Sequence, residues 1–337
     1  MPTSLASDVL AIAMQLMATE STTLNEGRVM TVAEGILTEL GWNVRRIPVS
    51  PGRDNLLAYG TKPVELVFST HLDTVPPYHP PSIDGDRLLG RGACDAKGIA
   101  AAMICAATAL RDQGMPAGLL LVVGEEAPHD GARAANAVKN SCKVLINGEP
   151  TESKLGIGTK GALRCSISTR GKAAHSAYPQ LGISATANLV ALLTEIPTLK
   201  LPSHPILGDT TINIGVLSGG VADNVIAPEA TARLMVRIVT PSTDTIALLK
   251  TWIGDRAEFR VETEIQPVLL GAVEGFETEV VAYATDVPEL SNWGTPYLFG
   301  PGSIHVAHTD HEFIDIAELR AAVDAYQKLA KAALAAT

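Results

Sequence analysis

Hydrophobic positions along the chain fall into two successive patterns. Residues 4–18 and 26–40 repeat apolar side chains at helical spacing, and the second run stops at Gly41, a natural helix C-cap. Beyond it, short continuous apolar runs alternate with helical stretches. Residues 64–70, 119–123 and 143–146 read as strands with no polar alternation, and an alanine-rich helix over 99–111, closed by Gly114, separates the first two. Strands that are apolar on both faces and separated by helices predict a mostly parallel sheet covered on both sides.

Between residues 161 and 265 the pattern changes. Leu163, Cys165, Ile167 and Thr169 alternate with Arg164, Ser166, Ser168 and Arg170, the period of a half-exposed strand. A helix over about 183–195, strands over about 211–217 and 230–240, a helix over about 242–255 and a strand over about 257–265 follow. The order β-α-β-β-α-β predicts a ferredoxin-like sandwich. Buried-strand and helix patterns resume at Tyr297-Leu298-Phe299 and at 316–335. The expected organisation is therefore an α/β domain made of residues 1–160 and 266–337, interrupted by a ferredoxin-like domain over 161–265.

Composition narrows the function classes. The 337 residues suit two domains, and 46% hydrophobic against 18% charged residues excludes wholesale disorder. A formal net charge of −10 and 4% aromatics point away from nucleic acid and anionic membranes as partners. No Lys or Arg precedes Arg28 and no apolar stretch approaches ~20 residues, so neither a signal peptide nor a membrane span is expected. Cys94, Cys105, Cys142 and Cys165 form no CxxC pair and are too few for a disulfide scaffold, which suits a reduced, cytoplasmic protein.

The chemistry lies where these strands end. The first runs out into Thr70-His71-Leu72-Asp73, the second into Gly124-Glu125-Glu126 and the third into Gly148-Glu149-Pro150-Thr151, while Gly90-Arg91-Gly92-Ala93-Cys94-Asp95-Ala96-Lys97-Gly98 precedes the alanine-rich helix. Carboxyl ends of parallel strands are where open α/β sheets place their ligands. Carboxylates converging with a histidine at one sheet edge repel one another unless a divalent cation joins them, and mixed imidazole and carboxylate donors suit Zn²⁺, with Co²⁺ or Mn²⁺ as substitutes. Other motifs lead nowhere. Gly156-Ile157-Gly158-Thr159-Lys160-Gly161 matches a dinucleotide-binding fingerprint but opens a strand rather than a helix, and His311-Glu312 lacks the second histidine of a zincin helix. No nucleophile elbow or Walker A lysine is present.

Taken together, His71-Leu72-Asp73-Thr74-Val75-Pro76, Gly90 to Gly98, Gly124-Glu125-Glu126 and Gly148-Glu149-Pro150-Thr151 resemble the signature of the M20 metallopeptidase and amidohydrolase family, in family order and over nearly the whole chain. The stretch Gly300 to His308, with Glu312, resembles most the acetylornithine deacetylase and succinyl-diaminopimelate desuccinylase branch. The resemblance implies a zinc-binding α/β domain interrupted by a ferredoxin-like dimerisation domain. It implies two metals bridged by Asp95, with His71 and Glu149 completing one site and Glu126 and His308 the other. His308 is preferred over His305 and His311 because the family's ligand precedes an acidic residue by four positions. Asp73 would orient His71, Glu125 would be the general base, and the peptide after Asp95 would be cis. Gly171 to Ala177 resembles the segment whose histidine, here His175, holds the oxyanion from the partner subunit of a homodimer. Asn224, Arg237, Gly302 and Ser303 would contact substrate, Arg237 by clamping its carboxylate. His129, in the unusual loop Ala127-Pro128-His129-Asp130-Gly131, receives no role.

The expected activity is metal-dependent hydrolysis of the amide of a small N-acyl amino acid, with N-acetylornithine or N-acetylcitrulline foremost. A dipeptidase or aminopeptidase, or a hydrolase releasing lysine or ornithine from a carrier protein, is the rival within the fold. A non-catalytic metal-binding regulatory protein is the rival of another class, and a general base beside a metal ligand argues against it.

Overall fold

The computed structural model describes residues 8–337, so the part of the first expected helix before residue 8 lies outside the described residues. The chain divides into two compact units. The first runs up to Ile157 and includes Leu270–Glu279 and Thr285–Thr337; the second comprises Gly158–Leu269 and Val280–Ala284.

In the first unit, strands Ala117–Val122, Leu66–His71, Val144–Asn147 and Thr295–Phe299 lie side by side in that order, all parallel. The period-2 geometry of a strand splits their side chains between two cores. Leu66, Phe68, Leu119 and Leu121 join the larger cluster on one face, while Val67, Leu120, Val122 and Leu145 pack with Trp293 and Ala132 on the other. Both faces are therefore dry, which is why these strands read as unbroken apolar runs. Helix Lys97–Asp112 fits beneath the larger face because Ala100, Ala101, Ala102, Ala106 and Ala107 let helices Val9–Met17 and Ile316–Ala335 approach it closely.

The sheet is mixed at its margins. Asn43–Ser50 and Arg53–Tyr59 form an antiparallel hairpin beside Ala117–Val122, and Leu155–Thr159 runs antiparallel to Thr295–Phe299. The hairpin gives no clear sequence signal, since Asn43–Ser50 is largely solvent-facing, carries Arg45 and Arg46 and accommodates Pro48. A small antiparallel sheet of Ser82–Asp84, Arg87–Leu89 and Phe313–Asp315 also belongs to this unit and fixes the segment that carries Glu312.

The second unit holds a four-stranded antiparallel sheet in the order Thr211–Gly219, Glu229–Ile238, Gly161–Arg170, Glu258–Ile265. Its register sets Ala232 opposite Ile167, Leu234 opposite Cys165 and Val236 opposite Leu163, so the alternating apolar positions form one buried face. Helices Ala185–Leu193 and Ser242–Ile253 cover that face through Leu189, Leu192, Leu249 and Ile253.

Candidate metal centre

Three strand ends and two loops of the first unit bring the acidic motifs together. His71 is the last residue of Leu66–His71, Glu125 and Glu126 follow Ala117–Val122 after a short turn, and Glu149 lies two residues beyond Val144–Asn147. Ligand atoms of His71, Asp95 and Glu149 lie within 4.8 Å of one another, and so do those of Asp95, Glu126 and His308. Asp95 belongs to both groups. Its Oδ1 is 3.1 Å from His71 Nε2 and its Oδ2 is 3.1 Å from His308 Nε2, which is also 2.9 Å from Glu126 Oε1. Among the three candidate histidines near the C-terminus, His308 is the one brought to the carboxylates, on a backbone with φ of 62°; His305 and His311 are exposed and point to neither group.

The loop carrying Asp95 is held by a residue whose sequence pattern gave only a spacing. Buried Glu312 accepts N–H groups from Gly92, Cys94 and Asp95 on Oε1, at 3.0–3.1 Å, and a 2.8 Å bond from Arg91 on Oε2. A carboxylate receiving that many donors fixes the turn that aims Asp95. The Asp95-Ala96 peptide is cis.

Asp73 touches both His71 and the turn that carries Glu125 and Glu126. His71 Nδ1 lies 3.0 Å from the main-chain oxygen of Asp73 and 3.4 Å from its carboxylate. A carbonyl oxygen only accepts, so Nδ1 carries a proton and Nε2 faces Asp95. The Asp73 carboxylate also receives the backbone N–H of Glu125 at 3.0 Å, that of Glu126 at 3.1 Å and the Thr23 hydroxyl at 3.0 Å. It therefore sets the turn on which both glutamates sit.

Gly124 precedes them with φ of +70°, and a Cβ there would collide with Asp130 and Arg53. Those two residues form an ion pair in which buried Arg53 donates to half-buried Asp130 at 2.6 Å, and Arg53 also donates to buried Glu26 at 2.7 Å. Nothing in the sequence pattern marks Glu26, Arg53 and Asp130 as partners, since they come from three separate elements.

The donors fit cations on two observations. Glu149 is 4% exposed and its Oε1 is buried without a hydrogen-bond partner. Burial, and then the charge of neighbouring carboxylates, pushes Glu125 well above the usual carboxylate range; burial does the same to Glu149, with Asp95, Asp286 and Glu126 adding to it. Asp95 is held low, because hydrogen bonds from His308 and His71 outweigh its burial. The same contacts with Asp95 and Glu126 raise His308 to about 10, so a proton on this imidazole balances charge that a divalent ion would balance better.

The remaining predicted residues sit elsewhere or are occupied. Gly302 has φ of +84°, its Cβ would meet Cys94, and its N–H donates to Glu318. Ser303 Oγ donates to Glu152 at 2.9 Å. Both are engaged in holding the loop before His308. In the second unit, exposed His175 accepts the Ala177 N–H on Nδ1 at 3.1 Å, and Asn224 offers its carbonyl to the Ser176 N–H. Half-buried Arg237 has no hydrogen-bond or ion-pair partner among the described residues, and burial, together with Arg164, lowers its pKa.

A constellation of mostly buried carboxylates and imidazoles, gathered at the carboxyl ends of parallel strands and the loops beside them, with an acid held next to it, fits a hydrolase of the metallopeptidase type. Residues 67–332 match the pattern of peptidase family M20/M25/M40, and the chain belongs to that family. A peptidase M20 domain-containing protein of Schizosaccharomyces pombe is 37% identical over 336 residues, covering 96% of this chain and 84% of that protein. A protein of Aspergillus flavus named "Probable carboxypeptidase" is 39% identical over 325 residues, covering 84% and 76%. The fold is that of a tripeptidase from Staphylococcus aureus, with a TM-score of 0.82, 20% identity and coverage of 97% and 98%. It is also that of a dinuclear metal binding peptidase of the M20 family from Bacillus subtilis, with a TM-score of 0.74, 15% identity and 97% coverage of each chain. Among the described residues no helix is long and apolar enough to cross a membrane.

Proposed function

We propose that this chain is a two-metal amidohydrolase that cuts the linear amide bond on the amino side of an amino acid with a free carboxylate. An N-acyl amino acid is the leading substrate, N-acetylornithine or N-acetylcitrulline foremost. The observation that carries this reading is the pair of donor groups sharing Asp95, with Glu125 next to one of them and belonging to neither.

His71, Asp95 and Glu149 hold one Zn²⁺, and Asp95, Glu126 and His308 the other, with Co²⁺ or Mn²⁺ able to substitute. Bound there, the cations polarise the amide carbonyl and make water acidic enough to attack at neutral pH. Glu125 takes the proton of the attacking water and delivers it to the leaving amine nitrogen. Asp73 keeps Glu125 in place through the backbone N–H it accepts. His175 steadies the oxyanion from the partner subunit of a homodimer. Its Nδ1 already accepts a backbone N–H, so the neutral ring carries its proton on Nε2 and can donate to an anion. Arg237 clamps the substrate carboxylate, and its lack of any partner supports that role. Asn224 contributes contacts around the substrate, while Gly302 and Ser303, whose N–H and hydroxyl are engaged with Glu318 and Glu152, shape the loop that presents His308.

A peptide substrate is the second reading, favoured by relatives named as carboxypeptidase and tripeptidase. Both readings need the free carboxylate and differ only in whether the acyl side is a small acid or an amino acid. Four unpaired cysteines support a reducing, cytoplasmic setting. The deciding measurement is hydrolysis of N-acetyl, N-succinyl and dipeptide substrates by the zinc-loaded protein. Turnover of N-acetyl amino acids with poor dipeptide cleavage is expected, the reverse order would establish the peptidase, and no cleavage of any amide would end the hydrolase reading. Subunit exchange between Glu125→Gln and His175→Ala variants should restore activity toward ~1/4 of wild type if His175 acts in trans.

A further inference from the structure

The loop after Glu126 contains a third group of donors. Ligand atoms of Glu125, His129 and Asp286 lie within 4.8 Å of one another. Asp286 is 1% exposed, and its Oδ2 is buried with no hydrogen-bond partner. Leaving such an oxygen unsatisfied is costly, and a carboxylate has only acceptors to offer, so what completes it is a donor or a cation.

The separations repeat those of the other two groups. His129 Nδ1 lies 2.9 Å from Asp286 Oδ1, as His308 Nε2 lies 2.9 Å from Glu126 Oε1 and His71 Nε2 lies 3.1 Å from Asp95 Oδ1. These are hydrogen-bond lengths, and atoms so placed need to part only slightly to reach the roughly 3.3 Å edge spanned by donors about 2.0–2.2 Å from a tetrahedral Zn²⁺. His129 is also fixed in place rather than carried on a loose surface loop. Its φ is 63°, its N–H donates to the Gly124 carbonyl at 2.7 Å, and the next residue, Asp130, is tied through Arg53 to buried Glu26. A side chain 13% exposed leaves the site a path to solvent.

We propose that Glu125, His129 and Asp286 form a third cation site, selective for Zn²⁺ or a similar borderline divalent ion, whose filling withdraws the Glu125 carboxylate and stops hydrolysis. The site itself stands on the geometry alone; the inhibition rests on Glu125 being the general base. With three protein donors and no shared bridging carboxylate, it fills after the two sites joined by Asp95. Excess zinc would then switch the enzyme off through the same residue that makes it active.

The test is metal stoichiometry by equilibrium dialysis of the metal-stripped, full-length protein against increasing free Zn²⁺, repeated with Co²⁺ to follow its visible spectrum. Wild type is expected to take two equivalents tightly and a third at higher concentration. Asp286→Asn, which preserves shape, and His129→Ala should each stop at two, and His129→Ala should remove the spectral change that accompanies the third Co²⁺. Over the third step, wild-type activity should fall ~10²-fold, the lower range of what a general base contributes, while neither variant shows that fall. Retention of the third equivalent in both variants would mean binding elsewhere on the surface and would overturn the proposal, as would saturation of wild type at two. A third equivalent lost in the variants without inhibition in wild type would keep the site and remove Glu125 as the base. Fewer than two tight equivalents in wild type would break the two-metal reading, while an equivalent lost on Asp286→Asn would still establish this site.

Discussion

In the first unit Asp73, Asp95, Glu125, Glu149 and Asp286 are each 8% exposed or less, gathered on strand ends and loops around His71. In the second unit the buried cluster is apolar apart from a cysteine, and charge is paired at the surface, as in Arg170–Glu229 and Arg233–Glu262. Arg237 is half-buried there, and its guanidinium has no ion-pair partner among the described residues. Exposed pairs contribute about 0–1 kcal/mol, whereas a buried charge without compensation is strongly unfavourable. Burial of like charges persists only where something else balances it, and the proposed cations would do so here. The contrast separates a unit that gathers buried carboxylates from one whose buried cluster is apolar.

The largest effect that would test this contrast is Asp95→Ala. It removes a donor from both groups, so metal analysis should show both tight equivalents lost and activity reduced beyond the ~10²–10⁴ that a general base supplies. Glu125→Gln comes next. Both tight cations should remain by metal analysis while kcat falls by at least ~10². Near-normal kcat with metals bound would place the base elsewhere.

The third expectation concerns pH. The folded, metal-free protein holds His308 at about 10, because of Asp95 and Glu126, against ~6.5 for an unfolded histidine. The stability this adds is complete below ~6.5 and is lost as pH rises toward about 10, so denaturation of the stripped protein should become easier across that window. A cation must displace the same proton, so metal affinity should rise over the same range, and the loaded protein should not show the decline. A His308→Ala variant that kept the full slope would remove this account.

Arg237→Ala tests a half-buried cation of the second unit that has no ion-pair partner among the described residues. It should raise KM by ~10- to 10²-fold, as expected for a lost charge-assisted bond to a carboxylate, with the fold unchanged by circular dichroism. An unchanged KM would make Arg237 a surface residue. Smallest of all, Arg233→Ala should shift stability by less than ~1 kcal/mol in chemical denaturation, because its partner Glu262 is solvated.

Much of the fold is legible in order and period. Continuous apolar runs at 64–70, 119–123 and 143–146 correspond to the central parallel strands, and the alternation at 163–169 corresponds to a one-sided sheet, because burial on two faces or one writes a different pattern. The hairpin Asn43–Tyr59 is less legible, since an edge strand buries little and its partners are backbone groups, which the sequence does not encode. The donors are legible for the same reason as the strands: each carboxylate follows an apolar run or precedes a helix, so local pattern places it at a strand end.

What the sequence determined by itself is therefore the set of strands and the acidic ends they present. The tertiary structure decided which of those ends meet. It brought His308, which the family resemblance already preferred, to Asp95 and Glu126, set the Asp73 carboxylate against the backbone of Glu125 and Glu126 as well as beside His71, and made Glu312 the anchor of the Asp95 loop. It also joined Glu26, Arg53 and Asp130 and set His129 against Asp286. Period and composition record how each residue faces solvent along its own segment. Contacts between residues as far apart as Arg91 and Glu312 depend on how whole segments close on one another, and local pattern carries no term for that distance.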